Sequence, residues 1–144
     1  MTAPLDIVIP SRLEEIPKIS AELEQCMQSM GFSDDQILDL QLAVEEAITN
    51  VIKHGYEETP GTIAIRCTSG EEEITIEISD SAPAFDPLGV PEPDTSADID
   101  QRGIGGLGIF LIRRVTDSAT YRYEQDKNIL TLTKKKCPSG PVAG

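Results

Sequence analysis

Apolar and polar residues alternate strictly along EITIEIS, Glu73 to Ser79. Ile74, Ile76 and Ile78 fall on one side, Thr75, Glu77 and Ser79 on the other. TIAIRCT, Thr62 to Thr68, alternates too, and SGEEE between the runs reads as a turn. This period of two predicts antiparallel strands with one face buried and one wet. LDIVIP, Leu5 to Pro10, reads as a first strand that Pro10 stops. ATYRYE and NILTLTK read as a closing hairpin that turns at Asp126, Lys127 and Asn128. Two other segments keep helical spacing. Ile16, Ile19, Leu23, Cys26, Met27 and Met30 form one apolar stripe, Ile37, Leu40, Val44, Ala47, Ile48 and Val51 another. Ser11 with Glu14, and Ser33 with Gln36, have capping-box spacing for the two helix starts. Gly31 and Gly55 are the expected stops. GGLGIFLIRRVTD reads as glycines opening a third helix.

Helices with one stripe and strands with one apolar face pair into a two-layer α/β sandwich with a mixed, mostly antiparallel sheet. A length of 144 residues suits one domain. We place it at 1–137 and expect 138–144 to be a disordered tail. Between Ser81 and Gly103 the periodicity disappears, and four prolines and several acids take its place. A loop of that length in a compact domain is usually functional or mobile.

Charge narrows the partners. The net charge is -13, which argues against a nucleic-acid partner, since a polyphosphate backbone needs a basic footprint. The basic run Lys134 to Lys136 reads as a solvated patch. No apolar run reaches the roughly 18 residues of a membrane span, and the N-terminus lacks the basic and apolar regions of a signal peptide. Cys26, Cys67 and Cys137 are scattered, with no C-x-x-C, so free thiols in a cytoplasm are the simplest expectation.

Three stretches carry candidate chemistry. In EEAITNVIKHGY, Glu46 and Asn50 lie one turn apart on one helix edge. Glu45 lies about 100° round and is expected on a mostly solvated face. GIGGLG, Gly103 to Gly108, matches G-x-G-x-x-G, but the strand that a dinucleotide site needs before it is missing. Glycines ahead of a helix N-terminus still suit an anion such as phosphate. Asp80 ends a strand, where it either caps a turn or accepts a hydrogen bond from an exocyclic amine such as adenine's. Taken singly, each stretch also has a bland reading: a solvated stripe, a packing loop, a turn cap.

In this order and together, the stretches resemble the ATP-binding domains of the Bergerat fold, shared by gyrase-type ATPases, histidine kinases and anti-sigma factor kinases. EEAITNVIKHGY looks like their N box, DSAPAFDP like the first glycine box, RGIGGLGIFLIRRVTD like the second. The resemblance spans roughly Leu5 to Lys135. It is greatest to the anti-sigma regulatory factor serine/threonine kinases. It implies that Asn50 coordinates Mg²⁺ through its amide oxygen, and that Glu46 is the general base for a substrate hydroxyl. Asp80 would bind the adenine amine beside Ala82 and Ala84. Gly103, Gly105, Gly106, Leu107 and Gly108 would line the phosphates, with Arg102 reaching the terminal ones. Leu88 to Arg102 would be a lid over ATP. His54, one turn beyond Asn50, reads as a packing or hydrogen-bonding partner for the loop. Ala82 and Ala84 stand where many relatives have glycine, which implies weaker nucleotide binding.

The function so implied is phosphorylation of a serine or threonine of an anti-anti-sigma (antagonist) protein, with ATP and Mg²⁺, together with sequestration of a sigma factor. A homodimer is compatible with it. The alternatives are a partner-binding module of the same fold that transfers little or no phosphate, and a plain two-layer scaffold.

Overall fold

The computed structural model describes residues 5–56, 60–84 and 111–136. β1 (Leu5–Pro10) leads through a 3₁₀ turn at Leu13–Glu15 into α1 (Ile16–Ser29). α2 (Asp34–Asn50) follows and continues as a π-helical turn, Val51–Tyr56. β2 (Thr62–Ser69) and β3 (Glu73–Asp80) form a hairpin. Helical residues 111–115, the described part of α3, precede β4 (Ser118–Glu124) and β5 (Lys127–Lys135).

The strands form one sheet in the order β1-β2-β3-β5-β4. Every described pairing is antiparallel. The geometry of the connections accounts for this. β2–β3 and β4–β5 are hairpins, whose short turns make neighbours antiparallel, and β1 meets β2 in the opposite direction after the helix pair α1–α2. The expected two-layer sandwich is present, and its sheet, expected to be mixed, is antiparallel at every pairing among the described residues.

One core fills the space between sheet and helices. Ile74, Ile76 and Ile78 are buried, as are Ile63, Ile65 and Cys67 of β2. Ile19, Leu23 and Met27 of α1 meet them, with Leu40, Val44, Ala47 and Ile48 of α2. Each fully buried aliphatic side chain contributes about 1.5–3 kcal/mol of transfer free energy. The other sheet face is wetter. Arg122 reaches across β5 to Glu77 (3.5 Å), and Arg66 lies 4.0 Å from Asp6. These pairs are exposed and add little stability.

Four local expectations need correction. The Ser33–Gln36 capping box forms, with reciprocal bonds of 3.2 Å. The Ser11–Glu14 box does not. Ser11 Oγ instead accepts from the Gly61 N–H, and the Ser11 N–H donates to the Gly61 carbonyl, both at 2.9 Å. This serine ties the end of β1 to the start of β2. Gly31 does close α1, at φ 89°. Gly55 closes nothing: the helical run passes through it to Tyr56 in a widened π turn. The last hairpin turns at Gln125 and Asp126, one residue earlier than expected, with φ of 53° and 63°. Two central residues at positive φ match the twist of the flanking strands, so Glu124 pairs directly with Lys127.

The basic run is the fourth correction. Lys136 Nζ donates to the Met30 carbonyl at the end of α1 (2.9 Å), and Lys134 Nζ to the Val115 carbonyl at the end of α3 (2.6 Å). Cations at helix C-termini satisfy orphan carbonyls and oppose the negative dipole end. Lys136→Met should therefore lower stability by about 0.3–1 kcal/mol. Urea unfolding is expected to show a lower midpoint with an unchanged m-value.

The two described cysteines, Cys26 and Cys67, are free and buried. Burial, with Cys26 adding, pushes the Cys67 thiol up to about 12. Both stay protonated at neutral pH and act as packing groups. Cys137 and the tail lie outside the described residues, and among those described no helix is long and apolar enough to cross a membrane.

Candidate functional site

α2 builds one half of the site. Ala43, Val44, Ala47 and Ile48 anchor it in the core, and this fixes the edge that carries Glu46 and Asn50. Glu46 is half-buried. Burial raises its pKa above the ordinary glutamate value; the neighbouring Glu45 raises it further, and Lys53 pulls it back. A carboxylate held in this way accepts protons more readily than one in water. Glu45 is not on a mostly solvated face. It is half-buried and accepts a hydrogen bond from Ser20 Oγ of α1. The position 100° round the helix points at the neighbouring helix, because α1 packs along that side.

Asn50 is only 7% exposed, and its Nδ2 is sealed from solvent with no partner among the described residues. An unsatisfied buried amide costs about 1–3 kcal/mol. It marks a group whose partner is something other than the described chain.

β3 builds the other half. Asp80 continues the inward phase of Ile74, Ile76 and Ile78, so its carboxylate is buried towards the helical layer. Oδ1 accepts from the Ala82 N–H and from Asn128 Nδ2, each at 2.9 Å. Oδ2 has no partner among the described residues. Ala82 is buried in the core and Ala84 is exposed. Positive φ among the described non-glycine residues is confined to Gln125 and Asp126. Ala82 and Ala84 therefore sit in backbone conformations open to any L-residue, and their departure from glycine costs no strain.

Sequence reasoning missed two residues of this half. Asn128 Nδ2 also bonds the carbonyls of Ala82 (3.0 Å) and Pro83 (3.2 Å), and its Oδ1 accepts from Tyr121 Oη (2.5 Å). It pins the whole turn after β3. The available signal was its phase: Asn128 alternates in step with Leu130 and Leu132, an amide in a core position. Tyr56 is the second. Its hydroxyl accepts from the Ser81 N–H (2.9 Å) and donates to the Thr62 carbonyl (2.7 Å), which links the end of the Glu46–Asn50 helix to the Asp80 turn.

The remaining candidates, Arg102, Gly103, Gly105, Gly106, Leu107 and Gly108, lie outside the described residues, as do the lid segment and the His54 side chain. Of the second glycine box, the described part is helical from 111 to 115, with Ile112 fully buried.

The sequence profile of the histidine kinase-like ATPase domain matches residues 9–134. The chain belongs to the histidine kinase-like ATPase family. Its relatives place it in the branch of anti-sigma regulatory kinases, which are ATP-dependent protein serine/threonine kinases. Serine-protein kinase RsbW of Listeria monocytogenes is 30% identical over 135 residues, 90% of this chain and 85% of that protein. The protein of the same name from Bacillus cereus is 29% identical over 134 residues, 90% of this chain and 83% of the relative. Among solved structures, the crystal structure of the RsbU and RsbW domains of a Mycobacterium tuberculosis protein matches with a TM-score of 0.65 at 17% identity. It covers 94% of this chain, which spans 32% of that longer one. At that identity the likeness speaks for the fold.

A histidine kinase-like ATPase uses ATP, and the side chains present fit such a ligand. The Asn50 Nδ2, without a partner among the described residues, has an N–H to give to an anion, and the oxygen of the same amide is a donor of the kind a hard cation takes. Among the described residues no three His, Cys, Asp or Glu side chains cluster as a cage. An amide oxygen suits Mg²⁺, which usually keeps few protein ligands beside phosphate oxygens and water. The buried Asp80 carboxylate has an acceptor oxygen to spare for an amine.

Proposed function

We propose that this kinase phosphorylates a serine or threonine of an anti-anti-sigma (antagonist) protein, using ATP with Mg²⁺, and that it holds a sigma factor as its other partner. The observation that carries the reading is the pairing on α2 of a half-buried, proton-avid Glu46 with a buried Asn50 whose Nδ2 has no partner among the described residues. Relatives named serine-protein kinases, aligned over most of both chains, support it.

Each residue has a role set by its chemistry. Asn50 holds the metal through its amide oxygen. Asp80 accepts a hydrogen bond from the exocyclic amine of adenine, with Ala82 and Ala84 beside the ring. Gly103, Gly105, Gly106, Leu107 and Gly108 line the phosphates and Arg102 meets the terminal ones. ATP supplies the phosphoryl group, and Mg²⁺ the charge that offsets its oxygens. Glu46 would take the proton from the acceptor hydroxyl as that oxygen bonds to the γ-phosphorus of ATP, the bond to the β–γ bridging oxygen breaks and ADP leaves. A cytoplasmic setting and a single domain over 1–137 belong to the same reading.

Incubation with labelled ATP, Mg²⁺ and antagonist-type proteins from the same genome tests it. Label is expected on a serine or threonine of one antagonist, and only with Mg²⁺ present. If the wild type labels none of them, the fold serves here as a partner-binding module.

A further inference from the structure

The β2–β3 ladder pairs Ile63 with Asp80 and Ala64 with Ser79. In the same register Thr62 stands opposite Ser81. The bond expected next, from the Ser81 N–H to the Thr62 carbonyl, is not made directly. The Tyr56 hydroxyl stands between them, accepting from Ser81 N (2.9 Å) and donating to Thr62 O (2.7 Å). Its single proton and an acceptor lone pair are both used. The hydroxyl therefore holds the two strands apart, one residue beyond the point where Asp80 ends β3.

The ring is held as firmly as the hydroxyl. Tyr56 is 9% exposed. A Cβ added at Gly61 would lie 2.2 Å from Tyr56 Cε1 and 2.3 Å from Cζ, so the glycine leaves room for the ring alone. The π turn Val51–Tyr56 delivers this side chain from the end of the helix that carries Glu46 and Asn50. π turns inside helices recur where a side chain is re-aimed at a functional site.

We infer that Tyr56 is a positioning residue for adenine recognition: its hydroxyl wedges the β2–β3 edge open and fixes the turn from which the Asp80 carboxylate meets the base. The role rests on reading Asp80 as the adenine contact. Asn128 pins the same turn from β5, so Tyr56 completes a two-sided clamp. Without the wedge, Ser81 and Thr62 can close the ladder, and the turn carrying Asp80 shifts with them.

Calorimetric titration with ATP and with GTP, both with Mg²⁺, tests the assignment. Guanine presents a carbonyl where adenine presents the amine, so GTP reports on everything except the Asp80 contact. Tyr56→Phe keeps the ring against Gly61 and removes both hydroxyl bonds. It should weaken ATP binding about tenfold and leave GTP binding within about twofold, so the preference for ATP narrows. Gly61→Ala, which displaces the ring but leaves the hydroxyl chemistry intact, should do the same. In acceptor phosphorylation the loss should appear in KM for ATP and spare kcat. Equal weakening of both nucleotides makes Tyr56 a purely structural residue and overturns the proposal, as does an undiminished ATP preference in both variants.

Asp80→Asn separates the layers of the argument. If Asp80→Asn binds ATP poorly while Tyr56→Phe binds it at wild-type strength, the wedge alone is wrong. If Asp80→Asn binds ATP like the wild type, the adenine contact and the wedge built on it both fall. Amide exchange in the unsubstituted protein gives a reading that needs no variant to fold. The Ser81 N–H is expected to be protected, and free exchange there overturns the wedge.

Discussion

Glu46→Gln should slow phosphoryl transfer about a hundredfold while nucleotide binding survives. Glutamine keeps the shape and the hydrogen-bonding reach of the side chain but cannot take a proton. Loss of a general base typically costs on the order of 10²–10⁴ in rate. Phosphoryl transfer leans more on positioning and charge, so a value near the lower end is expected. The raised pKa adds a pH signature. Glu46 must be ionised to act, so the acid limb of the wild-type rate profile should lie above the ordinary glutamate value. Glu45→Gln should move that limb to lower pH, because it removes one of the causes of the shift.

The same shift fixes the sign of the stability effect. A carboxylate whose folded pKa exceeds its unfolded pKa binds more protons when folded, over the window between the two values. Stability is then highest below the ordinary glutamate pKa, falls as pH rises through the raised one, and stays lowered at neutral pH. Glutamine has no charge to desolvate, so Glu46→Gln should be at least as stable as the wild type at pH 7. Thermal melts at neutral pH check this, and they separate lost chemistry from lost structure. Transfer at wild-type speed by Glu46→Gln would remove Glu46 from the role of base.

Elements whose cause is local were legible in the sequence. The phase of Ile74, Ile76 and Ile78 gave β3 and its buried side, and Ser33 with Gln36 gave the start of α2, because each pattern acts within a few residues. The helix edge holding Glu46 and Asn50 was legible for the same reason. What escaped depends on partners far along the chain. Ser11 had a good cap spacing, but Gly61, fifty positions on, took its hydroxyl. Lys136 looked solvated because Met30, its carbonyl partner, is 106 positions away. Glu45 was assigned by angle alone, and the angle says nothing about α1 lying alongside. The adenine half of the candidate site shows the same limit. Asp80 is visible as a strand end, but the side chains that orient its turn, Tyr56 and Asn128, come from 25 and 48 positions away. The proposed catalytic half, Glu46 and Asn50, rests on one helix and so could be read from spacing. The recognition half is assembled across the sheet and could not.

Asn50→Ala should uncouple nucleotide binding from Mg²⁺. A ligand that binds only the folded state stabilises it by about 2.7 kcal/mol at a hundredfold excess over its Kd. With ATP, the wild type should therefore melt higher when Mg²⁺ is present than when it is chelated. Removing the Asn50 amide oxygen should erase that difference, because it removes the protein ligand proposed for the metal. The protein without nucleotide should tolerate the change well. Asn50 Nδ2 is sealed without a partner among the described residues, so the substitution deletes an unpaired polar group along with a small volume of packing. Melting curves of both proteins, with and without ATP and with Mg²⁺ or a chelator, give the four comparisons needed. A Mg²⁺ increment that persists in Asn50→Ala takes the metal away from Asn50. An increment missing from the wild type takes the metal away from the site, and a wild-type melt that ATP does not move under either condition removes the nucleotide as well.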